Sequence, residues 1–155
     1  MENECKRKKC EEVLAEIYRN ANYAMQSIDD ILPEVEHQGL KEEIRLQHEG
    51  YAQISAKAAK IAKDKGIELK ETSGMQKAMM WSSIKMSTMF DGSRNHIAEM
   101  MVRGTVMGIT ALRTSQSELP IEPDKEIEAL LLELIELEEG YEKKLKEYLY
   151  AKLIT

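Results

Sequence analysis

At 155 residues the chain fits a single domain, 1–155, able to bury about 70% of its unfolded surface. Apolar residues make up 43% and charged residues 32%, a balance that suits amphipathic helices with charged outer faces. The net charge of −6 speaks against a general nucleic-acid binder, which needs clustered Lys and Arg to neutralise phosphates.

The chain opens Met-Glu-Asn-Glu-Cys-Lys, without the apolar core of a secretion signal. No apolar run approaches the roughly 18 residues that read as a membrane span. A cytoplasmic protein with no transmembrane segment is expected. The basic run Lys6-Arg7-Lys8-Lys9 lies among Glu2, Glu4, Glu11 and Glu12 and reads as a solvated helix start. Cys5 and Cys10 match no metal or redox spacing and fall on different helix faces, so reduced thiols are expected.

Four main helices are predicted and no strand. The first runs from about Glu4 to Val35, with Val13, Ile17, Ala24, Ile28, Ile31 and Val35 at three- and four-residue steps. Pro33 is placed to kink or trim its last turn. After the turn His37-Gln38-Gly39, the second runs from Leu40 to Lys65, with Leu40, Ile44, Tyr51, Ala58 and Ala62 inward and Gly66 as its stop. Residues Gly74 to Gln116 as one helix would be about 63 Å long, against about 40 Å for the neighbours. Asp91-Gly92-Ser93 offers a break. The stretch is therefore read as a short helix, Met75 to Phe90, in the crossover between the second and third main helices, followed by a third helix from Ser93 to about Ser115. One long helix with an overhanging end is the rival. Small residues at Ser93, Gly104, Gly108 and Ala111 are taken as the inner stripe of the third helix. The fourth runs from Pro123-Asp124 to about Leu149, with Ile127, Leu130, Leu131, Leu134, Tyr141, Leu145 and Tyr148 inward.

The segment Glu71-Thr-Ser-Gly-Met-Gln-Lys-Ala-Met-Met-Trp81, then Ile84-Lys85 and Arg103-Gly104, resembles a group of small, largely uncharacterised bacterial ferritin-like bundle proteins. In that group a Ser-Gly loop leads to a short Trp-bearing crossover helix and then to a third helix with an Arg-Gly pair. The resemblance implies a ferritin-like four-helix bundle. It also implies bound iron, manganese or another metal in relatives with full ligand sets. A di-metal carboxylate bundle takes a Glu from each of two helices and Glu-x-x-His from the other two. This chain has no Glu-x-x-His, Asn20 stands on the inward face of the first helix, and Val102 is apolar where relatives often carry Glu. No cofactor is expected from the residues themselves, and a di-iron enzyme is not.

One internal echo remains. His48-Glu49-Gly50-Tyr51 and Glu138-Glu139-Gly140-Tyr141 put a tyrosine near the centre of each inner face, with His48 or Glu138 about 60° to its side. Two readings stay open. In one, His48 and Glu138 hold a single metal or each other beside Tyr51 and Tyr141; in the other, all four form a structural polar cluster. Eight of the ten methionines fall between Met75 and Met107, and Met80, Trp81 and Ile84 form the second apolar face of the crossover helix. A second subunit is the expected cover for that face. A homodimer or another protein partner follows as the expected mode of action.

Overall fold

The computed structural model describes residues 2–69 and 92–150, and they form four helices. These are α1 (Glu2–Ile31), α2 (Gln38–Lys65), α3 (Arg94–Glu118) and α4 (Lys125–Tyr150), with a 3₁₀ turn at Leu32–Glu34. No strand occurs among the described residues. No helix there is long and apolar enough to cross a membrane. The expected crossover helix, Met75 to Phe90, lies outside the described residues, as do Met80, Trp81 and Ile84.

Helix ends fall where local chemistry puts them. Pro33 cannot donate to a continuing α-helix, and the chain tightens into the 3₁₀ turn there before Val35 takes up an extended conformation. α1 thus stops at Ile31, four residues short of the expected Val35, although Val35 itself is buried as predicted. His37 begins α2 through its ring, whose Nδ1 accepts from the Leu40 backbone N–H at 3.1 Å. Gly66 ends α2 in the left-handed conformation, φ 66°, with its N–H turned back to Ala62 and Lys63. Asp124 Oδ1 accepts from the backbone N–H groups of Glu126 and Ile127 and so caps α4.

Two helical hairpins make the bundle: α1 packs chiefly on α2, and α3 on α4. α2 faces α4 and α1 faces α3, which leaves α2 and α3 across the diagonal. Three contacts fix the directions. The Glu36 N–H donates to Gly92 O at 3.2 Å, so α3 starts beside the α1–α2 turn. Tyr148 Oη donates to Gly39 O at that same end. At the opposite end Lys65 Nζ meets Asp124 Oδ2 at 2.7 Å. Hence α2 and α3 run the same way, and the chain leaves α2 at one end of the bundle and enters α3 at the other.

The core is the meeting of the four stripes. Val13, Leu14, Ile17, Ile28 and Ile31 come from α1, and Leu40, Ile44, Tyr51 and Ile54 from α2. Leu130, Leu131, Leu134 and Leu145 come from α4. Cys10 belongs to it too, as a free buried thiol. On α3 the buried residues are Ile97, Ala98, Thr105, Leu112 and Ser115. That corrects the small-residue stripe at two positions: Gly104 is exposed and Ser93 stands at the N-cap, while Gly108 packs against the centre and Ala111 is half-buried. Burial follows the large apolar side chains Ile97 and Leu112, which outweigh any preference of glycine for contact.

Candidate site at the bundle centre

Glu138 continues the buried stripe of α4, four residues after Leu134 and three after Ile135. Its side chain is only 1% exposed, and Oε1 has no hydrogen-bond partner among the described residues. What makes room for it is Gly108 on α3. A methyl group there would stand 2.5 Å from Glu138 Oε2 and 3.2 Å from Asn20 Nδ2. Asn20, on α1, donates through Nδ2 to Gly108 O at 3.3 Å. One glycine, one amide and one carboxyl thus meet where α1, α3 and α4 converge.

The fourth wall comes from α2. Tyr51, 3% exposed, sets its ring edge-on to Tyr141 of α4, with centroids 5.4 Å apart and planes at 62°. The Tyr141 hydroxyl lies over the backbone of Gly50, in space that a Cβ there would overlap. One turn earlier Gln47 is fully buried, its Nε2 on Glu43 at 3.2 Å and its Oε1 without a partner. Sequence reasoning passed over Gln47, although its place three residues after Ile44 and four before Tyr51 puts it on the inner stripe.

Desolvation sets the electrostatics. Burial pushes the Glu138 carboxyl up to about 8, so at neutral pH most copies carry the proton. Burial also raises Tyr51 well above the usual phenol range, with Glu138 and Tyr141 adding to it. Tyr141 is pushed up to about 12 by burial and then by the charge of Glu43. At pH 7 the Glu138 carboxyl and both phenols are therefore mostly neutral, and Glu138 Oε1 and Gln47 Oε1 are buried without a hydrogen-bond partner among the described residues.

The two echoed motifs do not behave alike. Their tyrosines meet, but His48 and Glu138 part. On α2 the position three before the tyrosine faces α1, and His48 Nε2 lies 3.2 Å from Asp29 Oδ1 there, with its side chain a third exposed. On α4 the same position faces Gly108 of α3. No hydrogen bond joins His48 to Glu138. Glu49 and Glu139 are exposed as expected, and Glu139 binds Arg113 of α3. Gly140, unlike Gly50, has open space beside it. No group of three or more acids, imidazoles and thiols placed to hold a metal occurs among the described residues.

Two further features stand on the surface. At the Lys65 end a cleft of about 350 Å³ is lined by Arg7, Glu11, Lys65, Ile67, Asp124 and Ile127, and its four charges pair off as Arg7–Glu11 and Lys65–Asp124. On the outer side of α3, Val106 and Met107 stand consecutively in solvent. Leu46, Ile121 and Leu132 are the other exposed large apolar residues described, each on its own element or turn.

No family model matches the sequence, and neither a curated protein nor a solved structure does.

Proposed function

We propose that this chain is a non-enzymatic, cytoplasmic bundle of ferritin-like layout that works by associating with protein, first of all with a second copy of itself. The observation that carries this reading is the apolar pair on α3. Met107 is 74% exposed and Val106 beside it 41%, with half-buried Val102 and Ile109 one turn to either side of Val106. Adjacent apolar side chains on the outside of a helix that already has a core face are an association surface in waiting, and methionine adapts to many partners. The shared direction of α2 and α3 supports the layout, since it demands a connection that returns along the bundle. Sedimentation of the full chain between about 10 µM and 1 mM, a range set for weak interfaces, is the test. A concentration-dependent dimer that Met107→Glu weakens is expected; a monomer throughout overturns the reading.

A second reading rests on Glu138 Oε1, a buried carboxyl oxygen without a partner among the described residues. A single cation such as iron or manganese would displace the carboxyl proton and use Asn20, Tyr51 and Tyr141 as neighbours. One carboxyl, one amide and two phenols fall short of a firmly held ion, and His48 is engaged with Asp29. Elemental analysis after reconstitution separates the two readings. Stoichiometric metal that disappears in Glu138→Ala favours the second, and protein without metal removes it.

A further inference from the structure

Along the outer side of α3, Glu99, Arg103, Val106, Thr110 and Arg113 follow one another at alternating steps of four and three, and all five are exposed. That spacing makes a straight seam on a helix meeting another helix. It lies opposite the buried stripe of Ile97, Thr105 and Leu112. Its centre is apolar, with Val106 on the line and Met107 beside it. Its ends carry opposite charges at equal distance: Glu99 stands seven residues before Val106 and Arg113 seven after, each about 10 Å along the axis.

At seven-residue spacing, Glu99, Val106 and Arg113 read acid, apolar, base, and that pattern complements itself when turned end for end. We infer that two copies of this chain meet through α3, antiparallel about a twofold axis at Val106, with Glu99 of each copy against Arg113 of the other. A twofold contact uses one patch twice, so a pair that works on one side works on both. The charges balance as well. Glu99 already holds Arg103, and Arg113 holds Glu139, which gives two acids and two bases on this face. The chain as a whole carries −6, so the neutral strip is where two copies approach without like-charge repulsion. Each Glu99 then bridges Arg103 of its own chain and Arg113 of the other copy, and Val106 closes on its symmetry mate. A single helix-on-helix seam sits at the small end of specific interfaces, so the dimer is a weak one.

The inference rests on the self-association proposed above, and the experiment keeps the two apart. Full-length protein carrying Cys5→Ser, with buried Cys10 retained, is the background. Val106→Cys is added to place a thiol on the axis, and Leu46→Cys on α2 serves as the exposed control. Mild oxidation is expected to link the Val106→Cys chains into a disulfide dimer and to leave the Leu46→Cys chains largely unlinked. In sedimentation, Glu99→Arg and Arg113→Glu alone each weaken the dimer about tenfold, and the double charge swap restores it. Circular dichroism confirms that each variant keeps its helix content. Unmodified protein that stays monomeric overturns both the association and this face. A dimer that neither single swap weakens, with no link at Val106→Cys, overturns this face and leaves association standing.

Discussion

The Tyr141 hydroxyl presses on the α-carbon of Gly50, so that α4 rests directly on the backbone of α2. Glycine within a helix costs about 1 kcal/mol relative to alanine, and here the contact with Tyr141 offsets that cost. Gly50→Ala forces the ring away from Tyr51, with a net loss of about 1–3 kcal/mol as for other overpacked sites. Removing the hydroxyl in Tyr141→Phe recovers part of it. Urea denaturation of the two single variants and the double gives the coupling, and strict additivity would refute the contact.

Gly104 and Gly140 make the opposite case. Among the described residues nothing lies within 4 Å of a methyl group placed on either, so there only the helix propensity remains. Gly104→Ala and Gly140→Ala are each expected to stabilise by about 0.5–1 kcal/mol in thermal or chemical unfolding. A loss at Gly104 in dilute protein would mean that a neighbour occupies that surface.

Glu138 gives the fold a dependence on pH of unusual sign. A carboxyl near 8 in the folded chain and near 4.5 when unfolded binds its proton more tightly in the folded state. Its stabilising effect is complete below the unfolded value and is lost as pH rises through about 8. Between those limits the slope approaches about 1.4 kcal/mol per pH unit for one proton. Glu138→Gln, which cannot ionise, is expected to flatten that slope and to be the more stable protein at pH 8 and above. Denaturation series at pH 5 to 9 decide it; parallel curves for the two proteins would show that Glu138 is not the group.

Asp124 serves two partners. Burial favours its neutral form, but the Lys65 ammonium and the first N–H groups of α4 outweigh that and hold it below the usual carboxylate range. Asp124→Ala loses both the cap and the ion pair and is expected to cost about 1–2 kcal/mol. Asp124→Asn keeps the cap and costs less. Because the folded value is depressed, the Asp124 contribution is present above the unfolded value and fades as pH falls through the folded one, opposite to Glu138. Unfolding of the two variants at pH 7 and pH 3 separates cap from charge; equal losses for Ala and Asn would deny the cap.

How far these features could be read in advance depends on how local their causes are. Pro33, Gly66 and Asp124 act within a turn of their own position, and the ends of three helices fell close to them. The meeting of Tyr51 and Tyr141 was legible because a tyrosine recurred at the same place in two motifs. The partner of His48 was not. Which neighbour receives a side chain 60° off the inner face depends on which helix lies on that side, and no periodicity encodes it. Stripe assignment on α3 went astray for a different reason: small size says that a close approach is tolerated, not that one occurs. Gly108 had such a neighbour and Gly104 did not.

The shared direction of α2 and α3 turns the connection between them into a ruler. Twenty-eight residues, 66 to 93, separate the two helices, while the gap to be bridged is the length of α2, about 42 Å. A dozen or so residues fully stretched would just reach. In a chain trimmed below that limit, α3 can no longer dock on its own α1. The α3–α4 hairpin would then have to seek the first half of another molecule, and a shortened chain would survive only as an exchanged pair.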